Sequence, residues 1–342
     1  MCSASGRSSW PETVLAPRQT GTIPAITGLH RLRPGRGAKA HQEPGNGVSS
    51  EIGAPALPPP LAARYARAAL AEDIGGGDVT TDLIVPAGAT ARAKLVARAA
   101  GVACGLGLAR AVFQEMDAAV DVALHACDGD EVRPGAVLAS IRGPARAILA
   151  AERVALNLVG RLSGIASLTR RYVEAVAGTD VRIVDTRKTT PGLRPLEKYA
   201  VRCGGGHNHR YGLSDGFMLK DNHRAALAAA GLDLAATVRD ARKRLGHGIV
   251  VTIEVDEVEQ IPEALEAGAD VLLLDNMTAE QLSVAVRRIG GAARTEASGG
   301  ITLDSVRAIA ESGVDMISVG ALTHSATSLD VALEFDWSGN GA

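Results

Sequence analysis

VVTIEVDEVEQIPEALEAGADVLLLDN, residues 250–276, decides the fold. Two short apolar runs, VVTIEVD and VLLLDN, each stop on polar residues, and EVEQIPEALEAG lies between them with helical spacing. Strands that are apolar almost throughout must be covered on both faces, which a parallel sheet under crossover helices achieves. The same grammar extends in both directions. RIVDT (182–186), DGFMLKD (215–221), RTEASGG (294–300) and MISVGA (316–321) read as further strands. LAAAGLDLAATVRDARKRLG (227–246), TAEQLSVAVRRIG (278–290) and LDSVRAIAESG (303–313) read as helices. Six strands joined by right-handed crossovers predict an incomplete α/β barrel of six or seven strands over residues 166–335.

Residues 57–165 predict an α/β sandwich domain. LAARYARAALAED (61–73) and GLARAVFQEM (107–116) have helical spacing, and GDVTTDLIVP (77–86) reads as a loop and short strand. ARAKLVARAAGVACG (91–105) alternates as a strand does, and VDVALHACDGDEVRPGAVLASIRG (120–143) is strand interrupted by turns. A long helix then runs from about Ala145 to Ala177. Residues 1–56, rich in Gly, Pro, Ser and Arg, bury too little apolar surface to offset chain entropy and are expected to be disordered. Residues 336–342 are expected to be a tail.

Composition narrows the function. The net charge is -2 and aromatics make up 3% of 342 residues, which argues against nucleic-acid binding. No apolar run approaches the roughly 20 residues that span a bilayer, so no membrane partner is expected. Cys2, Cys104, Cys127 and Cys203 show no CxxC or zinc-ligand spacing, which suggests a reducing compartment, the cytoplasm. Cys203 is read as a packed thiol and not a nucleophile.

In a parallel barrel every strand delivers its last residues to one rim. Those ends carry Thr186, Arg187 and Lys188, then Lys220 and Asp221, Glu254 and Asp256, Asp275 and Asn276, Ser298, Gly299 and Gly300, and Gly320 and Ala321. The strand interiors look almost free of charge, so the rim is the candidate site. Arg187, Lys188, His209, Arg210 and Lys220 would form a cationic side, and Glu254 and Asp275 an acidic side. Several cations predict a substrate with more than one carboxylate, or a carboxylate beside a phosphate. The acids predict sugar hydroxyls, a divalent metal or a developing positive charge. SGGI and SVGAL offer backbone N–H groups to phosphate. CGGGHNHR (203–210) needs close backbone approach or sharp bends. His207 and His209 would share a face if extended, but lack a third soft ligand, so a hydrogen-bonding role for His209 is expected.

DTRKTTPGLRPLEKYAVRCGGGHNHR, LKDNH, IEVDEVEQ, LLLDN, ASGGI and SVGALTHS, with the earlier EDIGGGDVTTDL, resemble the quinolinate phosphoribosyltransferase family over about residues 57–335. The resemblance implies transfer of phosphoribosyl from phosphoribosyl pyrophosphate to quinolinate with decarboxylation. The products would be nicotinate mononucleotide, pyrophosphate and carbon dioxide, a step of NAD biosynthesis. It implies Mg2+, held mainly through substrate with Glu254 and Asp275 as candidate ligands, and a homodimer with shared sites. Quinolinate would meet Arg153, Thr186, Arg187, Lys188, His209, Arg210 and Lys220. Lys188 and Lys220 would also assist catalysis, with Glu254 and Asp275 near the ribose. Ser298, Gly299, Gly300, Val319, Gly320 and Ala321 would form the phosphate loops. Arg153 stands apart on the long helix, and only the resemblance promotes it, to the partner's site. Rival expectations are a related enzyme for another aromatic acid, a nicotinate phosphoribosyltransferase, an aldolase using Lys220 as a Schiff-base amine, and a non-catalytic dicarboxylate sensor.

Overall fold

The computed structural model describes residues 56–245 and 248–337. The disorder expected over residues 1–56 lies outside that range except for residue 56, and the tail expected over 336–342 lies outside it from residue 338.

The first layer is an antiparallel sheet. Its strands are β1 (Thr90–Ala97), β3 (Asp121–Leu124) and β5 (Val137–Pro144), with β2 (Gly101–Val102) and β4 (Glu131–Val132) pairing separately. On β1, Ala91, Ala93 and Leu95 are buried while Thr90, Arg92 and Lys94 are exposed, the alternation of a sheet with one wet face. Helices α1 (Pro59–Ile74), α2 (Val79–Ile84), α3 (Leu106–Met116) and α4 (Ala145–Ala175) accompany it. The short strand expected in GDVTTDLIVP is α2 instead. Asp78 accepts from Thr81 N at 3.0 Å and caps the helix, and that local bond overrides the strand preference of Val79, Thr80 and Thr81.

The second layer is the parallel sheet. Its strands are β6 (Arg182–Val184), β7 (Phe217–Leu219), β8 (Val251–Val255), β9 (Val271–Asp275), β10 (Arg294–Ser298) and β11 (Met316–Ser318), in the order β6-β11-β10-β9-β8-β7. Every residue of β8 is buried, as its apolar run demands. Between the edge strands β6 and β7 runs the segment after Cys203, which pairs with β6 in parallel through Val184 and His207. Six strands and this partial stave make the incomplete barrel.

Helices α5 (Arg194–Cys203), α6 (Asp221–Ala229), α7 (Leu234–Arg244), α8 (Ile261–Glu266), α9 (Ala279–Ile289), α10 (Val306–Glu311) and α11 (Ala321–His324) cover the sheet. The single helix expected over 227–246 is two, because Gly231 turns left-handed and Asp233 caps a new start at Ala236 N.

Helix α4 joins the two cores: Ile148, Ala151 and Val154 pack under the first sheet, while Ile165, Ala166 and Tyr172 pack against the barrel. After α11 the chain crosses α4 again, and β12 (Val331–Asp336) pairs antiparallel with β1. Residues 331–335 therefore belong to the first sheet, although the strand–helix rhythm assigns them to the barrel, and Asp336, expected in the tail, pairs with Arg92 in the same sheet. Gly160 and Gly164 make the crossing possible. A Cβ on Gly164 would strike the Thr327 carbonyl, and Leu329 N donates to Gly160 O at 2.9 Å.

Candidate active site

The registers of the parallel sheet align Glu254 with Leu273, Leu273 with Glu296, and Glu296 with Met316. Residues level with one another in a parallel sheet point to the same face, so Glu254 and Glu296 share that face with one strand between them. Both are buried, at 6% and 1% exposure, and a buried carboxylate requires a partner. Each has one. Lys220 Nζ donates to Glu254 Oε2 at 2.5 Å, and His209 Nε2 lies 3.1 Å from Glu296 Oε2.

This arrangement corrects two expectations. Lys220 and Glu254 do not face each other from opposite sides of the mouth, because β7 and β8 are neighbours and the pair is in direct contact. The strand interiors also carry charge, since Glu296 lies within β10. The available signal was a glutamate inside the short run RTEAS, a position that burial makes costly unless a cation sits beside it.

The cationic segment rests on a second buried pair. Asp185, directly after β6, accepts from Lys198 Nζ at 2.5 Å, Asn208 Nδ2 at 2.6 Å and His209 N at 2.8 Å. Burial pushes the Asp185 carboxyl up and the Lys198 ammonium down, while each holds the other in its charged form. Arg194 closes the mouth from α5, donating from Nε to Thr189 Oγ1, from Nη1 to Tyr211 O and from Nη2 to Arg187 O. Arg161 of α4 binds the fully buried Glu197, whose Oε2 also accepts from Thr190 N. Asp185 follows β6 directly but was passed over for Thr186, and none of Lys198, Arg194, Arg161 or Glu197 stands at a strand end. The glycines of CGGGHNHR confirm close approach: a Cβ on Gly204 would meet the Ala166 carbonyl, and one on Gly206 would lie 2.7 Å from Thr169 Cγ2.

Arg187 and Arg210 are half-buried near one another. Burial, and then the charge of Arg187, push Arg210 below its ordinary value, while Asp215 and Glu296 pull the other way. Arg210 Nη1 donates to Gly216 O. Arg187 Nε is buried with no protein hydrogen-bond partner among the described residues. Two crowded guanidiniums, one with an unsatisfied buried donor, have the chemistry to take an anion. Thr186 Oγ1 accepts from Lys188 N, and Thr323 Oγ1 donates to Lys188 O at 2.7 Å.

The remaining strand ends complete the mouth. Asp275 Oδ2 accepts from Asn276 Nδ2, leaving its second oxygen for a ligand. Asn276 adopts φ 55, the one left-handed non-glycine among the described residues, and donates its N–H to Ser298 O at 2.8 Å. Gly299 packs so tightly on Asn276 that a Cβ would collide with it. Gly300 beside it is exposed with φ 59. Val319 is buried and donates to Val184 O at 3.0 Å, Gly320 abuts the Lys188 Cδ, and Ala321 opens α11.

Arg153 is exposed on α4 and lines a groove with Asp73, Gly77, Asp78 and Thr80 of the first layer. It belongs to a different surface from the mouth of its own chain. His207 and His209 diverge: His207 Nδ1 meets Arg202 and His209 meets Glu296, so they do not form a metal pair. Cys104 and Cys203, far apart in sequence, come together with Asp128 so that their ligand atoms all lie within 4.8 Å. Asp128 is already engaged by Leu106 N and the Tyr199 hydroxyl. Glu254 is committed to Lys220, so of the two expected metal ligands, Glu254 and Asp275, the second has the freer oxygen for a cation.

Comparison with known proteins gives the lineage. Residues 78–163 match the quinolinate phosphoribosyl transferase N-terminal domain, and residues 165–334 match its C-terminal domain. A probable nicotinate-nucleotide pyrophosphorylase [carboxylating] of Bacillus subtilis is 46% identical over 77% of this chain and 89% of that protein. The nicotinate-nucleotide pyrophosphorylase [carboxylating] of Mycobacterium leprae is 44% identical over 78% of this chain and 95% of its own. The crystal structure of NadC from Streptococcus pyogenes superposes with a TM-score of 0.77 at 41% identity, covering 82% of this chain and 99% of that one. Human nicotinic acid phosphoribosyltransferase shares the fold alone, at 15% identity and a TM-score of 0.53. The chain belongs to the quinolinate phosphoribosyltransferase family.

Proposed function

We propose that this chain transfers the phosphoribosyl group of phosphoribosyl pyrophosphate to the ring nitrogen of quinolinate and releases carbon dioxide and pyrophosphate, yielding nicotinate mononucleotide. The observation that carries this reading is the buried Arg187 Nε, without a protein partner among the described residues, beside Arg210, whose charge is crowded by its neighbour. Quinolinate has two adjacent carboxylates, and a single-carboxylate substrate would leave part of this cationic set unpaired.

Arg187, Arg210, His209, Lys220 and Thr186 orient the diacid, and the gain is proximity of its nitrogen to the anomeric carbon. Glu254, held by Lys220 and also 3.5 Å from Asp221 N, and Asp275 offset positive charge developing on the sugar. Lys188 faces the departing pyrophosphate. The backbone turns at Ser298, Gly299 and Gly300, and at Val319, Gly320 and Ala321, serve the phosphates. Mg2+ bound with pyrophosphate would lower its negative charge, and the unshared Asp275 oxygen is the protein group suited to assist in holding it. Once ribosylated, the pyridinium nitrogen withdraws electrons from the neighbouring carbon, the carboxylate on that carbon leaves as carbon dioxide, and the electron pair left on the ring carbon takes up a proton from water.

The working unit in this reading is a homodimer. Val79, Leu83 and Ile84 of α2 are exposed at 74%, 78% and 74%, and Val79 lines the Arg153 groove. A second copy covering this face would bury them and bring Arg153 toward the other mouth. Among the described residues no helix is long and apolar enough to cross a membrane. We assign the enzyme to the cytoplasm on the separate ground that its cysteines lack disulfide or metal spacing.

The test is direct. Purified protein with quinolinate, phosphoribosyl pyrophosphate and Mg2+ should form nicotinate mononucleotide and carbon dioxide in equal amounts, with nicotinate inert in its place. Turnover of nicotinate without carbon dioxide would replace this reading by its mono-acid rival.

A further inference from the structure

Beneath the proposed quinolinate site lies a carboxylate that no strand-end reading reaches. Glu296 is 1% exposed, sits level with Glu254 in the sheet, and meets the His209 ring at Nε2. The backbone of His209 is fixed independently. Its N–H donates to Asp185 and its carbonyl accepts from Lys198 Nζ at 3.2 Å. The main chain at this position is thus anchored from β6 and α5, while the ring is anchored from β10.

A carboxylate only accepts hydrogen bonds, so the nitrogen facing it must carry the proton. Nε2–H donated to Glu296 leaves Nδ1 as the ring nitrogen available to a ligand, and to bond a substrate carboxylate, itself only an acceptor, Nδ1 must carry a proton as well. It also removes the ring's freedom to rotate when the site is empty. Arg210 lies within the field of the same carboxylate, which links Glu296 to a second cation of the mouth.

We propose that Glu296 is a positioning residue for the aromatic diacid, acting through His209 by fixing its ring orientation and keeping Nε2 protonated. This inference rests on the reading of His209 as a quinolinate contact. Glu296 does not touch substrate in this scheme. Its effect should fall on the diacid and spare phosphoribosyl pyrophosphate.

The experiment is a double-mutant cycle on the full chain with Glu296→Ala, His209→Ala and the double variant, measuring KM for each substrate and kcat. Losing one charged hydrogen bond predicts a rise of about tenfold in quinolinate KM for Glu296→Ala, with phosphoribosyl pyrophosphate KM changed less than about twofold. Adding Glu296→Ala to His209→Ala should cost nothing further, because the ring it positions is gone. Glu296→Gln, which keeps an acceptor of the same shape, should recover most of the lost affinity. Equal losses for both substrates, or full additivity in the cycle, would overturn the proposal while wild-type turnover left the enzyme reading intact. A wild-type protein that binds no quinolinate would remove both. Should Glu296→Ala fail to fold, 15N resonances of the wild-type His209 ring decide. A protonated Nε2 is expected, and a bare Nε2 with the proton on Nδ1 would refute the assigned role.

Discussion

Lys220 Nζ lies 2.5 Å from Glu254 Oε2 across the neighbouring strands β7 and β8, with the lysine 45% and the glutamate 7% exposed in their side chains. The two partners are unequal: the lysine is half in solvent, and the carboxylate depends on it. Glu254→Gln removes the negative charge proposed to face the sugar and should lower kcat by about a hundredfold or more with little change in fold. Lys220→Met leaves the carboxylate buried without its cation and should cost about 1–3 kcal/mol of stability, moderated by the exposure of the lysine. Steady-state rates and urea unfolding separate the two effects. A Glu254→Gln enzyme turning over near the wild-type rate would remove Glu254 from the mechanism.

Arg187 presents the reverse case, a buried donor without a protein partner among the described residues, proposed to meet the diacid. Its replacement should therefore harm binding far more than folding. Arg187→Lys loses the planar two-pronged donor set, and quinolinate KM should rise about ten- to a hundredfold. The melting temperature should stay level or rise, because an unsatisfied buried donor destabilises the free protein. A variant that melts several degrees lower yet keeps its quinolinate KM would make Arg187 structural.

His207 supplies a pH dependence. Burial, then the charges of Arg202 and Arg182, lower its pKa from the ordinary 6.5. Between the lowered folded value and 6.5 the unfolded chain binds more protons than the folded one, so stability falls as pH falls through that window. The contribution is present above about pH 6.5 and is lost in acid, by about 1.4 kcal/mol per pH unit at most. His207→Gln, which has no ring to protonate, should show a flatter acid limb when melting temperature is followed from pH 7.5 to 5. An unchanged slope would transfer the acid sensitivity to other groups.

The barrel was legible because its information is local: β8 and β9 are apolar runs, and the helix after each is amphipathic. The strand-end residues were legible because a parallel sheet sends every carboxyl end to one rim. What escaped depended on pairs distant in sequence. Glu296 and His209 are 87 residues apart, and no periodicity announces that β10 runs beneath the CGGGHNHR segment. Lys198 reads as one more charge on an amphipathic helix until Asp185 is found against it. The return of β12 to β1 was hidden for a related reason. Gly160 and Gly164 look like ordinary helix-weakening residues until the crossing chain occupies the space their missing side chains leave. The helix at α2 failed differently, since three β-branched residues outvoted a single capping aspartate.

Arg153 tests the assembly. It is exposed, lines a groove of the first layer, and takes no part in the mouth of its own chain. If a single chain were the complete enzyme, Arg153→Ala would be a surface substitution with an effect near zero. If the site is shared, the variant should lose about ten- to a hundredfold in quinolinate affinity, the same scale as loss of Arg187. Mixing then separates a shared site from a remote effect within one chain. A heterodimer of an Arg153→Ala subunit and a Lys220→Met subunit contains one mouth with both defects and one with neither. Co-refolded one to one, the statistical mixture should regain about a quarter of wild-type activity, since half of its dimers are mixed and each has one intact mouth. Activity that stays at the level of the two parental variants, with mixed dimers verified by differently tagged subunits, would show that Arg153 serves its own chain or none.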